Sequence, residues 1–123
     1  MHIALDIDQT ITHAPEFFSA LTHAFADATV TIVTVRDSTD GAEGTLREHD
    51  IRYDRLVLSD DPDLGCTGDL EYDEWKAQVI THLRPDVFFD DSPEIVHRIP
   101  PPTAVFMCCD DVMRGWIKSS LGR

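Results

Sequence analysis

The sequence predicts a doubly wound α/β fold, a three-layer α/β/α sandwich built on a parallel five-stranded sheet. Five short apolar runs alternate with stretches of helical period, and most of these runs are near-continuous in Ile, Val, Leu and Phe. Continuous runs of this kind are typical of strands covered on both faces, as in parallel sheets. The alternation of strand with helix implies right-handed crossovers. With 123 residues and no repeat or dividing linker, the chain is expected to form one domain, residues 1–123.

The apolar runs place the strands. They occupy residues 2–7, 30–35, 55–58, 86–89 and 103–107. An irregular stretch at 59–70 follows the third strand, and a loop of that length in a small domain is more often functional than not.

Five helices are predicted between and after these strands. In the first, Pro15 and Glu16 suit the first turn. Its expected apolar face consists of Phe17, Leu21, Ala24 and Phe25. Two further helices span about 41–49 and 72–83, and a short helical turn follows Pro93. The apolar stripe of the 72–83 helix is formed by Trp75, Val79 and Leu83. The last helix, about 112–121, carries Met113, Trp116, Ile117 and Leu121.

The chain is strongly acidic, with 10 basic and 23 acidic residues and a net charge of −13. Nucleic acid and anionic membranes attract Lys and Arg patches, so this charge disfavours both as partners. Local phosphate binding stays compatible with it, because a bound divalent ion changes the field at its own site. We expect neither a signal peptide nor a membrane-spanning segment, because the given sequence reaches Asp6 at once and holds no apolar run of about 20 residues. The three cysteines do not suggest a disulfide framework, so we expect reduced thiols and a cytoplasmic protein.

Polar residues stand where three of the predicted strands end. Asp6 and Asp8 follow the first strand, Thr34 ends the second, and Asp90 and Asp91 follow the fourth. Ligands bind at the carboxyl ends of strands in open α/β sheets, so these side chains are expected to share one site. Four carboxylates would repel one another there by roughly 4 kcal/mol per pair at about 4 Å and a dielectric of about 20. Such a cluster needs a cation, and a magnesium site that handles phosphate is the economical interpretation.

The adjacent acids Asp90 and Asp91 are the main metal candidates, because two acids directly after an apolar strand are hard to explain as surface residues. Mg²⁺ takes few hard oxygen ligands from protein, with water and substrate phosphate completing an octahedron. We expect Asp90 to bind directly and Asp91 through water, although the two roles can be exchanged. Glu94 either supports this pair or begins the next helix.

Four motifs in a fixed order give the chain a family resemblance. They are Asp6-Ile7-Asp8-Gln9-Thr10 after the first strand, Thr34 ending the second, Lys76 on a later helix, and Phe88-Phe89-Asp90-Asp91 closing the fourth strand. In this order the sequence resembles the haloacid dehalogenase (HAD) superfamily of phosphohydrolases over nearly its whole length. The resemblance implies a HAD-like Rossmannoid fold, Mg²⁺ as the cofactor and a phosphorylated substrate. It implies metal binding by Asp6, Asp8, Asp90 and Asp91.

The resemblance also implies catalytic roles for these residues. Asp6 is the nucleophile that attacks phosphorus and forms an aspartyl-phosphate. Asp8 protonates the leaving group and then activates water, which requires the chain to leave extended geometry after Asp6. Lys76 neutralises the nucleophile and the phosphate, and it is the only Lys or Arg between Arg55 and Arg84.

Several further residues are candidates for contacting substrate. Thr10 and Thr34 either orient Asp6 or donate hydrogen bonds to the phosphoryl oxygens. Arg36 lies two residues past Thr34 and could reach substrate phosphate, as could His13. The histidines lack zinc spacing. The acidic run Asp60-Asp61-Pro62-Asp63 fails every register of a twelve-residue calcium loop.

The chain departs from the family pattern in two places. Gln9 stands where the family usually has Gly, at the position that turns the chain away from the strand. The gaps after Thr10 and between Thr34 and Lys76 are also too short for a cap domain. A capless site could act on a bulky phosphorylated macromolecule, borrow a lid from a second copy of the chain, or hydrolyse small phosphomonoesters unselectively.

The predicted function is therefore a Mg²⁺-dependent phosphomonoester hydrolase. The alternative is a HAD-like binding or regulatory domain with weak or absent chemistry, although a binding module has no need of the full set of acids and Lys76. A receiver domain is a third interpretation, but receivers carry the phosphoacceptor on the third strand. Here that strand ends in Ser59, and the Asp-x-Asp-x-Thr motif sits on the first.

Overall fold

The computed structural model describes residues 1–108 and 111–122, in which five parallel strands form one sheet with helices against both faces. The strands are β1 His2–Leu5, β2 Thr29–Val33, β3 Arg55–Val57, β4 Val87–Asp90 and β5 Ala104–Met107. Their order across the sheet is β3-β2-β1-β4-β5, so β1 is central. Ile3 pairs in register with Val30 on one side and Val87 on the other. The predicted Rossmann-like α/β fold is confirmed.

The helices follow the strands in the predicted alternation. They are α1 Pro15–Ala24, α2 Thr39–Glu48, α3 Tyr72–Leu83, α4 Pro93–Val96 and α5 Asp111–Ser120. Pro15 begins α1 at a position where its missing N–H costs nothing, and the Ser38 hydroxyl accepts a hydrogen bond from Gly41 N at the start of α2. Within the described residues, no cap domain lies between these elements.

Two apolar clusters, one on each face of the sheet, make up the core. Alternate residues of a strand point to opposite faces, so Ile3 and Leu5 enter one cluster and Ala4 the other. Phe18 of α1 and Leu46 of α2 cover the first face. The second face is covered by α3 and α4, through Trp75, Val79, Ile80 and Ile95. The helices that cover these two faces form the outer layers of the predicted sandwich.

Two helical faces differ from the prediction. In α1 the buried residues are Phe18 and Thr22, whereas Phe17 and Phe25 are exposed. In α5 only Met113 is buried, and the other apolar residues predicted there, Trp116, Ile117 and Leu121, are exposed. For α5 the physical reason is the position of β5 at the edge of the sheet, where three of its four residues are exposed, so α5 does not pack its apolar residues over this strand.

Two smaller predictions concern membranes and thiols. None of the helices in the described part of the chain is long and apolar enough to cross a membrane. Cys66 and Cys108 are free thiols in this structure. Cys109, the third cysteine, lies outside the described residues.

Candidate functional site

The carboxyl edge of the sheet brings together side chains from three separate elements. Asp6 directly follows β1, Asp90 ends β4 with Asp91 next to it, and Lys76 projects from α3. β1 and β4 are neighbours in the sheet and run parallel, so their ends deliver Asp6 and Asp90 to one place. This is the edge at which open α/β sheets bind ligands.

Lys76 is buried between two carboxylates. Its side chain is only 2% exposed, and its Nζ lies 2.5 Å from Asp6 Oδ1 and 2.8 Å from Asp90 Oδ2. Burial by itself would lower the pKa of Lys76, but Asp6 and Asp90 outweigh it and raise that pKa above its ordinary value. Lys76 is therefore a fixed positive charge at neutral pH.

Three aspartates, which we call the aspartate triad, form a possible metal site. Asp6, Asp90 and Asp91 each offer a carboxylate oxygen, and these oxygens lie within 4.8 Å of one another. Asp90 Oδ1 accepts a hydrogen bond from Ser92 N at 2.8 Å. Asp90 Oδ2 is buried; its contact with Lys76 has the distance of an ion pair but not the angles of a hydrogen bond, and no other donor among the described residues reaches it. A hard cation would satisfy such an oxygen.

The pKa values of Asp6 and Asp91 are both raised, because burial disfavours their charged forms and the triad holds more negative charge than Lys76 can balance. Burial raises the pKa of Asp6, and the ammonium of Lys76 opposes this shift without cancelling it. Burial, a hydrogen bond to Asp6 and the neighbouring carboxylates raise the pKa of Asp91 to about 7. One lysine cannot balance three carboxylates, so without a cation the triad holds a proton near neutral pH.

A kinked turn over Ile7–Ile11 sets the orientation of Asp6. The chain leaves the sheet after Leu5, and Gln9 adopts left-handed geometry with φ 62°. A glycine would meet this backbone requirement without strain, and Gln9 meets it at a modest cost. The turn returns Thr10 beneath Asp6, where its hydroxyl donates a hydrogen bond to Asp6 Oδ2 at 3.1 Å.

Asp8 stands apart from the triad, in an ion pair with Arg36. Arg36 Nε and Nη2 donate to Asp8 Oδ2 at 3.0 Å and Oδ1 at 2.7 Å. The same guanidinium donates to Gly41 O and to the Thr45 hydroxyl of α2. The hydrogen bonds from Arg36 hold the pKa of Asp8 below its usual range. The carboxylate of Asp8 is thus occupied by Arg36 and lies outside the cluster of possible ligands.

The remaining candidates occupy different surroundings. Thr34 is fully buried and its hydroxyl accepts a hydrogen bond from Arg36 N at 3.2 Å. Glu94 is exposed in the first turn of α4, where it accepts a hydrogen bond from the Ser92 hydroxyl. His13 is exposed.

Cys108 was not singled out from the sequence, although it directly follows β5. Burial raises the pKa of its thiol beside Thr10 and the triad.

Comparison with known proteins adds a fold likeness. No family model and no curated protein matches this sequence. One chain of a solved structure, described as "Structure of Pnkp1/Rnl/Hen1 complex", is similar with a TM-score of 0.63 and 14% identity. The similarity covers 86% of this chain but 45% of that one, so this chain spans less than half of its length. At this identity the likeness concerns the fold. Fold and site together define the class: a Rossmann-like α/β protein with an acidic cluster at the carboxyl edge of its sheet.

Proposed function

We propose that this protein is a Mg²⁺-dependent phosphomonoester hydrolase of the HAD-like type, acting through an aspartyl-phosphate on Asp6. One observation carries the proposal: the aspartate triad converges from β1 and β4 onto a buried Lys76. A carboxylate nucleophile, a fixed ammonium and further acids in one buried place are the groups that phosphoryl transfer needs. The four-motif resemblance to HAD phosphohydrolases and the fold likeness support the same reading.

The donor set of the triad fits Mg²⁺. Its members are carboxylate oxygens, and one of them, Asp90 Oδ2, lacks a hydrogen-bond donor among the described residues. Asp6, Asp90 and Asp91 would hold the ion, whereas Asp8, which the sequence prediction also counted among the ligands, keeps its carboxylate on Arg36. When bound, Mg²⁺ supplies Lewis-acid charge that offsets repulsion between the carboxylates and substrate phosphate.

Phosphoryl transfer to Asp6 is the first step. An Asp6 carboxylate oxygen attacks phosphorus, a bond from phosphorus to Asp6 forms, and the bond to the leaving oxygen breaks. Thr10 fixes the rotation of the Asp6 carboxylate through Oδ2, and Lys76 holds Oδ1. Both contacts restrain the nucleophile before substrate arrives, and this reduces the entropy lost on reaching the transition state. Thr34 is the candidate for orienting the phosphoryl oxygens from the end of β2.

Asp8 is the proposed acid and base. It gives a proton to the leaving oxygen, then takes one from the water that attacks phosphorus, so that Asp6 and inorganic phosphate are released. Arg36 holds Asp8 ionised in the free protein through two hydrogen bonds. Substrate phosphate is a competing anion for Arg36. Its arrival would loosen the ion pair and let Asp8 take up the proton that it donates.

Hydrolysis of phenyl phosphate, with and without Mg²⁺, tests the proposal. We expect Mg²⁺-dependent release of phosphate, lost by at least about a thousandfold in Asp6→Asn. The matched control is Asp27→Asn, an exposed aspartate in the turn after α1, which should keep full activity. Turnover retained in Asp6→Asn would contradict the nucleophile assignment. Mg²⁺ binding by the wild type without turnover of any phosphomonoester would favour the alternative, a HAD-like binding or regulatory domain.

A further inference from the structure

A cavity opens directly beside the aspartate triad. It has a volume of about 400 Å³ and lies between the start of α4 and the first half of α5. That volume is within the range of small-molecule sites. Its two walls differ in chemistry. Asp91, Ser92 and Glu94 form the polar wall, and Val112, Met113 and Trp116 form the apolar wall.

This cavity shares one residue with the proposed reaction site. Asp91 belongs both to the triad and to the cavity lining, so the cavity adjoins the carboxylates at which we place the phosphoryl group. The opposite side of the site, above β2, is bridged by Arg36, which joins Asp8 to Gly41 and Thr45 of α2. Because Arg36 occupies that side, we assign the rest of a substrate bound at Asp6 to the cavity that Asp91 and α5 line.

The lining selects for the chemistry of what enters. Trp116 is 63% exposed although it is a large apolar ring, so covering it removes apolar surface from water. Glu94 on the other wall disfavours a second anionic group. A flat, uncharged ring suits both walls. A leaving group with its own phosphate or carboxylate does not.

We propose that this cavity binds the leaving group of the substrate and that Trp116 stacks on a flat, uncharged ring within it. The inference rests on the proposed function, since it names the substrate class of that site. The substrate class is phosphomonoesters of ring-bearing alcohols or phenols. Two sources share this chemistry, simple aryl esters and nucleoside monophosphates, and separate assay arms distinguish them.

The kinetic test compares substrates that share a phosphate but differ in the leaving group. We expect Trp116→Ala to lower kcat/KM by about tenfold for phenyl phosphate or adenosine monophosphate, mainly through KM, and to leave glycerol phosphate within about twofold. Trp116→Phe keeps a ring and should restore most of the loss. Ile117→Ala is the matched control, because Ile117 lies on the same helix but does not line the cavity.

For each substrate, kcat/KM of the variant is divided by that of the wild type. The intrinsic reactivity of the leaving group is the same in both values and therefore cancels. A selective loss for phenyl phosphate alone assigns an aryl ester as the source, and a selective loss for adenosine monophosphate assigns a nucleoside. Equal losses for ring and glycerol esters, or no loss at all, would overturn the proposal. A sugar bisphosphate should be a poor substrate, and efficient turnover of it would also count against the cavity assignment.

A binding measurement separates this inference from the proposed hydrolase function. The chain has two tryptophans, and Trp75 is buried, with its Nε1 donating to Leu64 O. Ring binding should therefore change the fluorescence of Trp116. We expect phenylphosphonate, which is not hydrolysed, to change fluorescence in the presence of Mg²⁺, methylphosphonate to change it little, and Trp116→Phe to abolish the response. A ring-specific response without hydrolysis would refute the hydrolase and keep the cavity. Hydrolysis without a ring-specific change in fluorescence would keep the hydrolase function and refute the cavity assignment.

Discussion

Aspartates are concentrated at two places in this molecule, the aspartate triad and the acidic loop at residues 60–63. The triad is assembled from the ends of two strands, and two of its members are buried. The acidic loop is a single run of sequence, with Asp60 and Asp63 exposed. Sequence composition alone makes the loop look like the denser acidic site. In the folded protein, however, the buried carboxylates are those at the strand ends.

Asp61 shows what the acidic loop does with its carboxylate. Asp61 Oδ1 accepts hydrogen bonds from Asp63 N and Leu64 N, both at 2.9 Å, and Asp61 O accepts one from Gly65 N at 2.8 Å. The side chain therefore closes a turn within its own segment. In the triad, by contrast, the charge of Asp90 Oδ2 is met only by the ammonium of Lys76 at 2.8 Å, and Lys76 is shared with Asp6. The loop carboxylate of Asp61 is satisfied by its own segment, whereas three triad carboxylates share one lysine.

Removing Lys76 is expected to have the largest effect. Lys76→Met leaves Asp6 and Asp90 buried without their cation, which should lower the free energy of unfolding by about 3–5 kcal/mol in metal-free buffer and abolish turnover. Urea denaturation with a chelator, repeated in Mg²⁺, measures the loss and its partial recovery. Lys118 is the only other lysine and is exposed on α5, so Lys118→Met is the control. Equal stability of the two variants would contradict the ion-pair account.

Asp90→Asn should weaken Mg²⁺ binding by about tenfold to a hundredfold, because the site loses a buried anionic ligand. Isothermal titration with Mg²⁺ measures the change. The same substitution in the acidic loop, Asp60→Asn, should leave the affinity for Mg²⁺ unaltered. If instead Asp60→Asn weakened binding and Asp90→Asn did not, the loop rather than the triad would hold the ion.

Gly65→Ala tests the structural role of the acidic loop. An added Cβ would lie 2.4 Å from Asp61 O and 2.9 Å from Asp61 N, so the turn must shift, at about 1–2 kcal/mol of stability. Thermal unfolding should show this loss, while kcat per folded molecule stays unchanged. Gly44→Ala in α2 is the matched control: its Cβ meets nothing within 4 Å, and it should stabilise by about 0.5–1 kcal/mol. A neutral Gly65→Ala would show that the loop adapts freely.

The last comparison concerns pH dependence, which the triad should show and the acidic loop should not. The pKa of Asp91 is raised to about 7, so Mg²⁺ must displace a proton below that pH. The apparent Mg²⁺ affinity should rise by about tenfold per pH unit up to about pH 7 and then level off. In metal-free protein the folded state keeps a proton that the unfolded state loses above about pH 4, so stability should fall between about pH 4 and about pH 7. Asp91→Asn should flatten both slopes, with Asp6, whose pKa burial also raises, carrying what remains. Slopes unchanged by Asp91→Asn would assign them to another group.

The sheet and the place of the site were predictable because both depend on short-range pattern. Near-continuous apolar runs marked each strand to within about two residues at either end, and parallel strands necessarily bring their carboxyl ends to one edge. The buried stripe of α3 followed from helical period, with Trp75 and Val79 in the core. The sequence also placed a turn at Gln9, where the family usually has Gly, and Gln9 adopts left-handed backbone geometry there.

The parts that sequence reasoning missed depend on long-range packing. Phe17 and Phe18 are chemically identical neighbours, and only the position of α1 on the sheet decides that Phe18 is buried. The ion pair between Asp8 and Arg36 joins residues 28 positions apart, with no local signature. The exposed face of α5 depends on β5 being the last strand in the sheet. The period of apolar residues identifies the apolar face of a helix, but it does not show whether another part of the protein lies close enough to cover that face.

The ion pair between Asp6 and Lys76 has a consequence for how the protein is made. Its partners lie 70 residues apart, and Asp90 is further along the chain still. During synthesis the first strand leaves the ribosome long before the lysine and the later aspartates. Non-local pairing of this kind slows folding. The cluster of Asp6, Lys76 and Asp90 therefore cannot assemble until the chain has been synthesised past Asp90, and Asp6 gains its partners only together with the fold.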